Sequence, residues 1–467
     1  MFRWGVCCFV VCLLAGSSSV FAEEIRVEAG DSLVKVVSSA SSGAVLRIAP
    51  GVKIEDFVIR KPIRLIGDDP ERVSIGSVLV SSEDVTLENL EFGGHAEAVL
   101  RIRNAQRVKV DNCRISNINQ EHLGYGLQVR NVSTLEVSDC DIIGNSVGMV
   151  ALGLTDGTIR GCEVTNRLDG MILSDSSSDI LIEDCFIHHH LGEGRPGHHA
   201  DGIQCFRGVK NLTVRGCRLM ANMQHMMFES TDGITIEETT SCGSTGTTIT
   251  FGWENAKNAT LTGNTFAFAG LSLFNMTASG YKVDYNILVS GHSKPALSVK
   301  GVEGIQSNHN IFWNSPRAEK PQIAVSDTAF HRNFKEYQQA SGMDADSENR
   351  DPGFVNAPLA IAPIDPRRYT SARTNWLPLW AHDELFRVGD VIEVNFDGIA
   401  RECLAIEDKG LRFKPALAKM PSNAPFVVTW GDNEDIHPNL SVRTDSSDPT
   451  SNAPANTFEN ASDEIAE

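Results

Sequence analysis

The residues best suited to chemistry cluster between Cys185 and Cys217. That stretch, CFIHHHLGEGRPGHHADGIQCFRGVKNLTVRGC, brings His188, His189, His190, Glu193, Arg195, His198 and His199 up to Asp201. Asp169 and Asp201 are each followed by glycine and fall in one column when neighbouring repeats are aligned. Adjacent strands of a sheet run about 4.8 Å apart, so these carboxyls would lie on the order of 5 Å apart if both project outward. Retaining glycosidases use a similar separation. Close carboxylates split their titrations, so one can hold a proton as general acid while the other attacks or activates water. The competing reading is a pair of tight turns, which Asp-Gly opens for backbone reasons alone.

Asp201 is the first choice for catalysis, with Asp169, His199, His225 and Glu229 as partners. Gln204, Gln128, Arg130, Arg195, Phe206, Arg207 and Trp253 mix apolar and hydrogen-bonding groups as a sugar-binding groove would. Elimination would need other parts: His199 or His225 as the base, with Arg195, Arg207 or a Ca²⁺ ion held by Asp201 facing the substrate carboxylate. Asp175 and Arg207 align one repeat apart and read as a structural ion pair. His188, His190, His198, His199 and Asp201 also contain enough ligands for Zn²⁺ or Cu²⁺. Consecutive strand histidines face opposite ways, so the three cannot share one ion without a turn.

These residues need a scaffold, and the sequence repeats. A column runs through Leu90, Cys113, Cys140, Cys162, Cys185, Cys217, Thr239, Asn264, Asn286 and Asn310, at spacings of 22 to 32 residues. Three residues before each member stands an apolar residue, from Leu87 and Val110 to Val283, broken only by Ser307. Two residues after stands another, from Phe92 and Ile115 to Phe312, broken only by Ser241. A second strand in each unit gives Leu127, Met149, Met171, Ile203 and Met226 as its inward column. Strand-type repeats of this period predict a solenoid of coiled parallel strands. The coil between Cys185 and Cys217 holds ten residues more than the 22-residue spacing, and loops inserted on rigid scaffolds are where function concentrates.

With these columns the chain resembles the right-handed parallel β-helix superfamily, which includes pectate lyases, alginate lyases and polygalacturonases. The resemblance spans about residues 24–356. It implies an all-β fold, a right-handed parallel β-helix, and leaves the reaction open; the apolar face of Leu33, Val36 and Val37 adds an N-terminal cap helix, and the alternation after Leu385 a small C-terminal β module. HHADGIQ is similar to a stretch of uncharacterised secreted β-helix proteins, whereas the GDD, GHG and RIK elements of polygalacturonases are absent.

Residues 1–22 read as a cleaved secretory signal, with one Arg3 and an apolar run too short to span a bilayer. The expected division continues as a β-helix with its cap over 23–356, a linker or strap over 357–384, an antiparallel β module over 385–445 and a disordered acidic tail over 446–467. The cap helix is expected over 31–40, with Asp31 as its N-cap. Hairpin turns are expected at Asp397-Gly398 and Lys409-Gly410. Net charge is −19, or −20 without Arg3, which argues against nucleic acid and anionic membranes and weakens a polyuronate substrate unless a local basic groove or Ca²⁺ reverses the field. Three of the 11 cysteines lie in the signal; five of the remaining eight stack in one column, slightly wide for disulfides, and are expected as buried free thiols, with one or two disulfides between coils as the rival reading for an oxidising compartment.

The preferred expectation is a secreted or periplasmic monomer that cleaves a polysaccharide as a glycoside hydrolase or lyase. A non-catalytic glycan-binding or cell-surface β-helix is the alternative, and a periplasmic metal-binding protein the third.

Overall fold

The computed structural model describes residues 23–443 except 70, 95, 118–123, 193–198, 245–247, 254, 269, 275–279, 292–294, 301–303, 318–323, 327–328, 332, 371–372, 420 and 422–424. The signal and the acidic tail lie outside them. Strands coil into a solenoid whose pairings are parallel throughout its repeats, gathered in a 23-stranded and a 12-stranded sheet. The coil that carries the insertion shows the plan: Ser178–Glu183, then the short strand Phe186–His188, then Asp201–Cys205.

The register follows the sequence columns. Val137, Ile159, Ile182, Val214 and Ile236 stack one above another, as do Ile142, Val164, Ile187 and Leu219. These side chains are fully buried and form one continuous core. A corner falls between the first two strands, immediately before the cysteine column. There Asn112, Asp139, Gly161, Asp184, Gly216, Glu238 and Gly263 all take positive φ, a conformation that asparagine, aspartate and glycine enter most easily.

The corner also explains the column that follows it. The Cys113 N–H donates to Cys140 Sγ at 3.4 Å, the Cys217 N–H to Thr239 Oγ1 at 3.3 Å, and the Thr239 N–H to Asn264 Oδ1 at 2.9 Å. Asn264, Asn286 and Asn310 continue as an amide ladder, with N–H to Oδ1 distances of 3.0 and 2.8 Å. Each side chain thus serves a backbone donor one coil away that would otherwise be buried unpaired. All eight cysteines among the described residues are free and buried.

The helix near the N-terminus spans Leu33–Ser39 and buries Leu33 and Val37. Its N-cap is Ser32, whose Oγ accepts from the Lys35 N–H; Asp31 instead accepts the Glu28 N–H at 3.0 Å. At the other end helix Phe334–Ser341 sets Phe334 against Phe312, with ring centroids 5.2 Å apart. Tyr337 donates to Asp344, which also receives Ser307, Asn310 and Ser347.

Six antiparallel strands follow, and the 357–384 stretch supplies two of them, Ala360–Pro363 and Trp376–Pro378. The Lys409-Gly410 hairpin turns on Asp408 and Lys409, both at positive φ, with Glu407 paired to Gly410. This sheet rests on the outer face of the short-strand sheet. Phe396, Phe426, Val428 and Trp430 form an apolar cluster with Leu191, Cys242, Ala267 and Val289. Arg317, just beyond the last coil, pairs with buried Asp390 to fasten the two parts.

Candidate functional site

The three consecutive histidines are spent in three directions. His188 stacks on Phe186 with centroids 4.1 Å apart and meets Glu163 through Nε2 at 3.1 Å, which lowers the Glu163 titration. His189 sits at φ 59° and turns its Nε2 to the Phe396 carbonyl of the C-terminal sheet, 3.2 Å away. Burial pulls its titration down to about 4.

His190 points into the solenoid. Its ring nitrogens approach the Leu168 and Val164 carbonyls at 2.8 and 3.1 Å, and its own N–H donates to Asn222 Oδ1 at 3.1 Å. It is one rung of a second interior ladder that includes Asn117, Asn145, Asn166 and Asn222. Desolvation lowers its titration to about 3, so it is neutral near pH 7. Sequence reasoning missed this ladder, although the asparagines stand at a fixed place in their coils. Among the described residues no three histidine, cysteine, aspartate or glutamate side chains converge to hold a metal ion.

Beside this corner, Asp169 and Asp201 occupy neighbouring coils, and the Asp201 N–H donates to Asp169 Oδ1 at 2.9 Å. The glycines after them are required by space. A Cβ at Gly170 would sit 2.5 Å from the Gly202 carbonyl oxygen and 2.9 Å from His190 Nε2. The two carboxyls live in different surroundings: Asp169 is half-buried, whereas Asp201 is fully buried and neither of its oxygens has a hydrogen-bond partner. Burial, reinforced by the Asp169 charge, pushes Asp201 well above the ordinary carboxylate range.

His225 does not border this pair as a reactive group. It lies between Gln224 and Met226, the register partners of Asp201 and Ile203, and is fully buried. Its Nδ1 accepts from Asn222 Nδ2 at 2.9 Å, and burial lowers its titration to about 3. His199 is exposed. Glu229 is half-buried and pairs across a bulge with Trp253; the Trp253 side chain, Glu193, Arg195, His198 and Glu254 lie outside the described residues.

The strip has the register aligned from sequence, Gln128, Val150, Ile172, Gln204 and Met227 being partners in turn, but Gln128, Val150 and Met227 are buried and do not form the open face the alternation implied. Gln204 donates to Met227 Sδ at 3.7 Å, and Gln128 accepts from Arg103. Asp175 and exposed Arg207 form an ion pair at 3.6 Å, and the Arg207 guanidinium lies 5.3 Å from the Phe206 ring. Arg130 is exposed next to Leu152. The strip extends a coil further than the sequence reading took it. Arg101 pairs with Gln128 and Arg103 with Arg130, and the alternation AVLRIR was the signal for both.

A family model described as the right handed beta helix region matches residues 67–153 and 125–334. A search of curated protein sequences finds no match. Solved structures with a similar course of chain include a pectate lyase, at 13% identity over 56% of this chain and 79% of its own, with a TM-score of 0.43. A periplasmic alginate epimerase is 11% identical over 65% of this chain and 82% of its own, with a TM-score of 0.45. PfbA, a surface adhesin of Streptococcus pneumoniae, is 9% identical over 66% and 89%, with a TM-score of 0.38.

Proposed function

This chain belongs to the right-handed β-helix family, and from that premise we propose that it is a secreted or periplasmic enzyme that cleaves a polysaccharide along its outer face. The observation that carries the reading is the pair of unlike carboxyls on adjacent coils. Asp201, held above its ordinary range, supplies a proton to the departing glycosidic oxygen, and the more exposed Asp169 acts as the carboxylate that attacks or activates water. Asp169 Oδ1 lies 2.9 Å from the Asp201 backbone nitrogen, so the two groups sit side by side on neighbouring coils. Gln204, Phe206 and Arg207 follow Asp201 on the same coil, Arg207 exposed, and His199 stands exposed just before Asp201. The name of the alginate epimerase places one fold-mate in the periplasm, and its substrate, like that of the pectate lyase, is a polysaccharide.

A second reading, glycan binding without cleavage, is favoured by one observation: both Asp201 oxygens are sealed from solvent. A panel of polysaccharides incubated with the protein separates the readings. New reducing ends without absorbance near 235 nm indicate hydrolysis, and that absorbance indicates elimination to an unsaturated uronate. Retention of a glycan with no product across the panel overturns the enzymatic reading.

A further inference from the structure

The outer face carries a cationic cluster two to three coils upstream of Asp169. Arg101 and Arg103 alternate outward from the strand Ala98–Asp111, and Arg130 is the register partner of Arg103 on the next coil. Three guanidinium groups therefore share one patch. Arg103 reaches Gln128, but the Nε atoms of both Arg101 and Arg103 are buried without a hydrogen-bond partner. None of the three forms an ion pair with a described residue, although arginines such as Arg107 and Arg215 elsewhere on the solenoid are matched to carboxylates. The flanking register positions supply no counter-charge: Leu79 lies beside Arg101, Val150 beyond Gln128 and Leu152 beyond Arg130.

Like charges held side by side against apolar neighbours repel, and the unmet Nε donors add a desolvation cost. An anion bound across them relieves both. We propose that Arg101, Arg103 and Arg130, with Gln128, form a subsite for a carboxylate-bearing sugar, so that the glycan held on this face is acidic. Guanidinium groups match carboxylates with paired, directional hydrogen bonds, and buried Gln128 holds the Arg103 guanidinium in place. The patch reverses locally the sign of a chain whose net charge is −19. Two to three coils and three to five residues along the strand separate it from Asp169, a distance on the order of 20 Å. A ligand that touches both is an oligosaccharide. This inference names the substrate class for the proposed cleft, but the binding it describes stands whether or not the bond is cut.

The test measures binding of the full-length protein to polygalacturonate and to alginate, each beside its carboxyl-reduced neutral counterpart, in an Asp201→Asn background. Dextran sulfate serves as the anionic control. The expected result is tighter binding to at least one native polymer than to its reduced form, weakened by salt. Arg103→Gln combined with Arg130→Gln should lower affinity for that polymer about tenfold or more while leaving the reduced form unaffected. Arg130→Gln alone, at an exposed position, should retain the wild-type circular dichroism and lose part of the affinity. Equal binding of native and reduced polymers, preference for dextran sulfate, no binding to either polyuronate, or unchanged affinity in the folded variants would each overturn the proposal. Polyuronate binding by the wild-type protein with no cleavage, or cleavage undiminished in Asp201→Asn, would instead sink the carboxyl-pair mechanism and leave this subsite standing.

Discussion

Replacing Asp201 with asparagine should make the protein inactive and, above mildly acidic pH, relatively more stable. Asp201 titrates well above its ordinary value of 3.8 because it is buried, with the Asp169 charge as the lesser cause. The folded protein therefore binds this proton more tightly than the unfolded chain does. Its favourable contribution is complete below pH 3.8 and is lost as pH rises towards the folded value, at about 1.4 kcal/mol per pH unit. Asparagine keeps the shape without titrating. Because neither Asp201 oxygen has a partner, the change breaks no side-chain hydrogen bond; the amide donors left unpaired cost about 1–3 kcal/mol at every pH. Urea unfolding of both proteins from pH 3.5 to 8 should show a difference that moves in favour of Asp201→Asn as pH rises and levels off at the folded pKa. Turnover should fall about 10²- to 10⁴-fold, the usual range for loss of a general acid. A stability difference that stays flat between pH 4 and 7, or a variant with wild-type turnover, would refute the reasoning.

Gly243→Ala should loosen the C-terminal sheet, since the added Cβ would lie 2.4 Å from Phe396 Cε2 at a residue with φ 73°; a loss of about 1–3 kcal/mol should appear as earlier proteolysis at this interface. Asn286→Ala removes amide donors to Leu261 and Asp284 and an acceptor for Asn264, and should cost about 2–5 kcal/mol by urea unfolding, against little change for Asn258→Ala on the surface. Alkylation of denatured, unreduced chain from residue 23 onward should add eight groups by mass spectrometry, because all eight thiols are free; fewer would reveal disulfides. Before unfolding, the same thiols should resist modification, since every one is buried.

The solenoid was legible because each coil must place a like residue over its neighbour. Val137, Ile159 and Ile182 therefore announce in sequence the stack they form in space. The cysteine-to-asparagine column was legible for the same reason, while its purpose, service of a corner N–H, became clear only with the backbone in place. The interior ladder escaped notice because one rung is His190, inside a run that invites a metal-site reading, and because the insertion separates it from Asn222 by 32 residues. His225 follows the partner of Asp201 as the alignment had it, but it is fully buried and bonded to Asn222, an inward contact that alternation along the strand did not reveal. Two strands before residue 385 were read as strap because proline obscured them. Both lie at sites where strand pairing tolerates it, Pro363 and Pro378 each ending a strand.

The most direct test of the account is the structure of an Asp169→Asn, Asp201→Asn protein with an uncut oligosaccharide. The account predicts a glycosidic oxygen within about 3 Å of the residue 201 side chain, the anomeric carbon facing residue 169, and the sugar chain continuing along Gln204. A glycan seated on another face, with residue 201 still sealed beneath the surface, would contradict it.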